Sequence, residues 1–234
     1  MSSAPRMARA SSSSSAYAEY FVGLVCQCRC DVAATQAHAD AVLALAALHR
    51  LAIRAEQGRL LQGWVLAMQG EAAAGVAHLR QALASPDLGP ESLRPYWLAT
   101  LAEAYGRAGQ PQAGLQVLAE AGTLLATTEV RWWEAEVSRL QGALRLHLPS
   151  PEVSQAEAAF RRALEVARRQ QAKALELRAA MSLARLWQQQ DKSTEAYELL
   201  APIYGWFTEG FDTADLQEAK ALLEELGGVM FQFS

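Results

Sequence analysis

The chain has 234 residues and a formal net charge of −4, with 51% hydrophobic and 20% charged residues. Ala (47) and Leu (33) fill 80 positions, whereas Val, Ile and Thr together fill 22; the former lose little side-chain freedom in a helix and the latter suit strands, so a strand-rich fold is excluded. A mildly acidic chain has no general attraction for nucleic acid or acidic membranes, and no run approaches the roughly 20 apolar residues of a membrane span.

In chain order, residues 1–15 combine Arg6 and Arg9 with a serine run at 11–15. Without periodic apolar positions this leader is expected to be disordered. Its basic, Ser-rich character superficially suits an organelle transit peptide, but two arginines carry that reading poorly. Glu19 interrupts the apolar segment 16–26, which removes the uncharged core of a secretory signal. Cys26, Cys28 and Cys30 lie within five residues. An odd, clustered set is no disulfide framework, and the chain reads as cytoplasmic.

Residues 16–212 repeat themselves. A small residue in one helix is followed by a small–large–small pattern in the next: Gly63, then Gly75, Leu79 and Ala82; Ala102, then Gly114, Leu118 and Ala121; Gly142, then Ala156, Phe160 and Ala163. A fourth copy runs Ala184, Ala196, Leu200 and Ile203, and a degenerate first copy runs Gly23, Thr35, Ala39 and Val42. The anchors Gly23, Gly63, Ala102, Gly142 and Ala184 are 40, 39, 40 and 42 residues apart. Two antiparallel helices approach closely only where one presents a residue without bulk, and hairpins that cannot bury their apolar faces alone must stack. Gly70, Gly109 and Asp191 fall in the turns, and Pro86, Pro90, Pro149 and Pro151 fall outside helical runs. A last helix is predicted over 214–226, with Thr213 as N-cap and Gly227-Gly228 as its end, and residues 213–228 are expected to cap the array. The tail 229–234 matches no pattern. The fold class is therefore all-α: a superhelix (α-solenoid) of about five helix–turn–helix repeats with a C-terminal capping helix.

The offsets resemble the tetratricopeptide repeat, although the period exceeds that family's usual roughly 34 residues. At Gly63-Trp64-Val65-Leu66-Ala67, Arg94-Pro95-Tyr96-Trp97, the run 101–109, Arg131-Trp132-Trp133-Glu134-Ala135-Glu136, the run 167–173, Leu183-Ala184-Arg185-Leu186-Trp187 and the run 204–213, the chain resembles the C-terminal helical-repeat region of bacterial signalling ATPases. In that family the repeats follow an NTPase module, often with an adenylate or guanylate cyclase or a DNA-binding domain further upstream. The resemblance spans residues 17–226 and implies a regulatory arm rather than an enzyme.

No catalytic constellation contradicts this. Gly58 and Gly63 have the glycine spacing of a P-loop, but Trp64 stands where Lys is required, and Gly109 to Gly114 is followed by Leu115. Cys26 and Cys30 share a helix face while Cys28 points away, so the three do not converge on a metal. His38, His49, His78 and His147 are scattered. No cofactor, metal or catalysis is expected. The basic stretch of Arg161, Arg162, Arg168, Arg169, Lys173, Arg178 and Arg185 is interleaved with Glu157, Glu165 and Glu176 at helical spacing and holds no aromatic for base stacking, which reads as a solvated, ion-paired face rather than a nucleic-acid surface.

Carrying tetratricopeptide geometry over, Trp64, Tyr96, Glu103, Arg107, Glu136, Arg139, Arg178 and Arg185 are expected along one concave groove. Aromatic and guanidinium groups in such a row suit a peptide or protein partner, an NTPase or cyclase domain among them; the opposing reading is that they pair among themselves. The expected function is a non-catalytic protein-interaction module. Two alternatives are a ligand- or nucleic-acid-responsive sensor of a transcriptional regulator, and a truncated repeat fragment with no role of its own.

Overall fold

A computed structural model describes residues 4–86, 88, 93–128 and 131–232, with backbone alone for 4–12 and 229–232. All regular structure among the described residues is helical: α1 (Ala4–Cys28), α2 (Val32–His49), α3 (Ala52–Met68), α4 (Ala72–Leu83), α5 (Arg94–Arg107), α6 (Pro111–Thr127), α7 (Glu134–Leu146), α8 (Val153–Gln170), α9 (Lys173–Gln188), α10 (Ser193–Tyr204) and α11 (Ala214–Gln232). None is long and apolar enough to cross a membrane. Pro90 and residues 233–234 lie outside the described residues. The chain divides into two units, Met1–Gln110 and Pro111–Ser234.

The periodic pattern finds its cause in packing. Every anchor and every member of the five small–large–small sets is buried, with the anchors on odd-numbered helices and the sets on even-numbered ones. In the first unit α3 and α4 cross at their glycines: a Cβ on Gly63 would lie 2.8 Å from Leu79 Cγ, and one on Gly75 would lie 2.6 Å from the Gly63 carbonyl oxygen. In the second, a Cβ on Gly142 would meet the Phe160 ring at 2.5 Å and the Ala156 carbonyl at 2.9 Å. Dispersion falls off steeply with separation, so backbones brought this close gain contact that a side chain on either would abolish.

Four of the turns share one device. Cys30, Gly70, Gly109 and Asp191 each stand seven residues after an anchor, and all four adopt positive φ, between 58° and 95°. At Cys30, Gly70 and Asp191 that left-handed residue reverses the chain between two helices of one unit, whereas no residue between α7 and α8 has a positive φ. Glycine adopts this conformation freely, whereas Cys30 and Asp191 hold it at a cost of about 1 kcal/mol each.

Within each unit consecutive helices pack together, and the odd-numbered helices also pack on one another: α1 on α3 and α3 on α5, then α7 on α9 and α9 on α11. Two boundaries differ from expectation. Helix α1 starts at Ala4, so the serine run expected in a disordered leader is helical. Helix α11 continues through Gly227 and Gly228 to Gln232, because neither glycine takes the positive φ that would end it. The hydroxyl of Thr213 donates to the Gly210 carbonyl at 2.7 Å, while its own carbonyl accepts from the Gln217 amide at 3.0 Å.

The notches give a paired prediction. Gly75→Ala forces a Cβ against two backbone atoms, and overpacking of this kind should destabilise the fold by about 2 kcal/mol. Gly122→Ala, in α6 with nothing within 4 Å of the added Cβ, should stabilise by about 0.5 kcal/mol through helix propensity. Urea-denaturation midpoints moving in opposite directions check this; equal shifts would deny the notch its role.

Candidate interaction site

The eight residues expected in one groove divide four and four between the units. In the first, Trp64 is 4% exposed and Tyr96 3%, so neither is an accessible anchor. Helices α1 and α5 both pack on α3 and meet each other through aromatic side chains. The Trp97 indole N–H donates to the Tyr20 hydroxyl at 3.2 Å, their rings stack with centroids 6.5 Å apart, and Cys28 Sγ lies 4.0 Å from the Tyr96 hydroxyl. Burial pushes the Tyr20 phenol up to about 12 against the lowering effect of the Trp97 hydrogen bond, so the phenol stays protonated. The large hydrophobic area of these rings is withdrawn from water by closing the inner face on itself. Glu103 and Arg107 remain at the surface of α5 as an i, i+4 pair at 3.4 Å.

In the second unit Glu136, Arg139 and Arg178 do come together. Glu136 on α7 is buried and takes two hydrogen bonds from the Arg139 guanidinium, 2.6 and 2.9 Å. Arg139 Nη1 reaches Ser182 Oγ on α9 at 3.4 Å, and Arg178 Nε donates to Asp215 Oδ2 on α11 at 2.8 Å. Burial opposes ionisation of Glu136, but the charge and hydrogen bonds of Arg139, with the charge of Arg178, outweigh it and hold the carboxyl below its usual range. For Asp215 burial wins: its carboxyl is raised despite Arg178, and Glu136 and Glu218 add to the rise. Arg185 pairs with Glu218 of α11 at 3.4 Å. These groups bind α7, α9 and α11 to one another.

A second constellation gathers where α7 and α9 begin and α8 ends. Glu134, buried, lies 3.4 Å from Arg162, 3.7 Å from Arg169 and 3.7 Å from Arg131. Glu176, also buried, accepts from Lys173 Nζ at 2.7 Å and Arg168 Nε at 2.9 Å. Burial works against ionised Glu176, yet those two hydrogen bonds and charges prevail and keep its carboxyl below the usual range. Five cations thus face two carboxylates, and Arg131, Arg162, Arg168 and Arg169 are all more than half exposed. Exposed aromatic rings accompany them: Trp132 against Trp133 with centroids 5.0 Å apart, and Trp206 beneath Lys173 Nζ at 5.6 Å. The sequence reading found no aromatic within the basic stretch; these two come from other segments. Glu134 and Trp132 were quoted there only as part of a resemblance. Their signal was present: two tryptophans and an acid at the start of a helix whose own cations, Arg139 and Arg145, stand five and eleven positions further on.

Among the described residues no group of three or more His, Cys, Asp or Glu stands where it could hold a metal. His38 Nδ1 contacts Glu19 at 2.6 Å, and His147 Nδ1 donates to the Ala143 carbonyl at 2.7 Å. No protein-family model matches the chain, and a search of curated proteins finds no similar sequence.

The pKa directions set an acid limb. A carboxyl lowered on folding contributes stability that is complete above its unfolded value, about 4.5 for glutamate, and is lost as pH falls towards the lower folded value. Asp215, raised, has the opposite sign and partly offsets this. Glu176→Gln should therefore lower Tm at neutral pH and flatten the fall of Tm below about pH 4.5; a limb as steep as in the parent chain contradicts the assignment. Arg139→Ala, which strands a buried carboxylate, should cost about 3 kcal/mol, read as a shift in the denaturation midpoint.

Proposed function

We propose that this chain is a non-catalytic protein-interaction module of tetratricopeptide-like design, and that its second unit receives an acidic segment of a partner protein at the basic constellation of Arg131, Arg162, Arg168, Arg169 and Lys173. The observation that carries the reading is the charge imbalance there: five cations held beside two buried carboxylates, with Trp132 and Trp206 exposed. Counting Glu165 of the same helix as a third carboxylate leaves an excess of two positive charges in a chain whose net charge is −4. Glu176 holds Arg168 and Lys173 by hydrogen bonds and Glu134 draws Arg131, Arg162 and Arg169 by charge, which reduces the side-chain entropy lost when a carboxylate-bearing segment docks. Arginine and tryptophan side by side are the residue types that most often anchor protein partners. The shared repeat offsets, with odd-numbered helices packed on one another, support the tetratricopeptide-like reading.

This site is not the concave row expected from the sequence. Arg139, Arg178 and Arg185 have intramolecular carboxylate partners in comparable number, which supports a structural role for them. Within a bacterial signalling ATPase or nucleotide cyclase system, the setting the resemblance suggests, such a module would hold a regulatory segment rather than act on a substrate.

The reading is tested by fluorescence anisotropy with a labelled Asp/Glu-rich peptide. We expect binding that weakens as salt is raised and an Arg162→Ala, Arg169→Ala variant, with unchanged circular dichroism, that binds about tenfold more weakly. Equal affinity for a Lys-rich peptide, or tighter binding of a single-stranded RNA of matched charge, would overturn it.

A further inference from the structure

We propose that the acidic partner segment carries a phosphate monoester, and that Arg131, Arg162 and Arg169 form the pocket that takes it. This rests on the reading of the basic constellation as the receiver of such a segment. The five cations there are of two kinds. Arg168 Nε and Lys173 Nζ hydrogen-bond Glu176 at 2.9 and 2.7 Å, the lengths of charge-assisted bonds. The other three converge on one carboxylate at longer range, Arg162 at 3.4 Å and Arg131 and Arg169 at 3.7 Å from Glu134. Glu134 is 7% exposed and its Oε2 accepts no hydrogen bond. The side chains of Arg131, Arg162 and Arg169 are 52, 66 and 59% exposed. Three guanidinium groups therefore stand over one buried acid, not drawn in to hydrogen-bond length and facing water on their outer side.

The backbone builds this convergence. Arg131 lies in the link before α7, and its carbonyl accepts from the Glu134 amide at 3.0 Å and from Gln170 Nε2 at 2.7 Å. Gln170 is next in the chain to Arg169, so the link is fastened to the end of α8 that carries the second arginine. Trp133 seats the link further by packing against Ala135, Val166, Ala167 and Leu175. Arg162 stands seven positions before Arg169, two turns back on the same face of α8.

The ligand follows from the charge gathered there. Three guanidinium groups over Glu134 leave an excess of two positive charges at one point. A side-chain carboxylate offers a single negative charge, and so does each phosphodiester of a nucleic acid. A phosphate monoester carries about 1.5 to 2 negative charges at neutral pH with three acceptor oxygens, which meets three planar forks in charge and in number. Arg168 adjoins Arg169 in sequence and, with Lys173, sits on Glu176. These two cations and the exposed Trp132 and Trp206 remain for residues that flank the phosphate, which points to a phosphorylated protein segment rather than free phosphate. One carboxylate opposes it: Glu165, exposed on α8, is three positions after Arg162 and four before Arg169, beside both.

Fluorescence anisotropy of the full chain with one Asp/Glu-rich peptide, carrying either phosphoserine or aspartate at its centre, tests this. The phosphoserine peptide should bind about tenfold more tightly. An Arg162→Lys, Arg169→Lys variant keeps the charge but loses the forks; it should hold the aspartate peptide within about threefold and cut the phosphoserine advantage to about twofold. Glu165→Gln should tighten the phosphoserine peptide about threefold. All three positions are exposed, so circular dichroism and Tm should match the parent chain. Equal affinity for the two peptides overturns this proposal and leaves the acidic-segment reading standing, whereas binding of neither overturns both. A phosphoserine advantage that the lysine variant retains in full, or inorganic phosphate that displaces the peptide as well as unlabelled phosphopeptide does, also overturns it.

Discussion

Close approach of two helix backbones at a residue without a side chain is the constraint on which this fold depends. At the α3–α4 crossing each glycine faces the backbone of the other helix, with no room for a methyl group on either side. Glycine in a helix interior costs about 1 kcal/mol relative to alanine, a cost offset only if the approach it permits brings many atoms into contact. Leu79, Phe160 and Leu200, the bulky members of α4, α8 and α10, each packed within its own unit, are at most 2% exposed. Notch and knob therefore form one interaction. Within each unit its recurrence about every 40 residues accounts for the helix order, and the left-handed residue seven positions after the notch accounts for the turns at Cys30, Gly70 and Asp191.

This interaction is also what makes the fold legible in the chain. Spacing of small and large residues is a property of neighbours in sequence and in the paired helix alike, so helix pairing and the buried set could be read from it. Closure of the first unit's inner face could not. Trp64 follows its anchor directly and on helical geometry points away from the α4 seam; whether that direction leads to water depends on whether α1 and α5 meet beyond it. They do, through Tyr20 and Trp97, residues 77 apart in the chain, and Trp64 and Tyr96 become core. An aromatic in a row of helices is thus ambiguous until the curvature of the row is known, and curvature depends on side chains from several repeats at once.

Charge shows the same limit from another direction. Helical spacing predicts i, i+4 pairs, and Arg161 with Glu157 and Arg107 with Glu103 are such pairs. They lie on exposed faces, where pairing contributes only tenths of a kcal/mol. The buried carboxylates take partners both near and far: Arg139 reaches Glu136 and Lys173 reaches Glu176 across three positions, whereas Arg162 reaches Glu134 across 28. A buried carboxylate must find cations wherever the tertiary structure supplies them, because leaving it unpaired costs several kcal/mol. The links that join separate helices are for this reason the least visible in sequence.

The two carboxylate clusters of the second unit then differ in stoichiometry rather than in kind. Around Glu136 and Asp215 two arginines meet two acids: pairing with Arg139 outweighs burial at Glu136, and burial outweighs Arg178 at Asp215. Around Glu134 and Glu176 the cations outnumber the acids, and the acids sit beneath while the guanidinium groups reach water. A buried anion under an exposed cation orients that cation without neutralising its neighbours. The first arrangement consumes its charge in joining three helices. The second uses two buried acids to hold a larger positive charge at the surface, where a carboxylate from another molecule would complete the count.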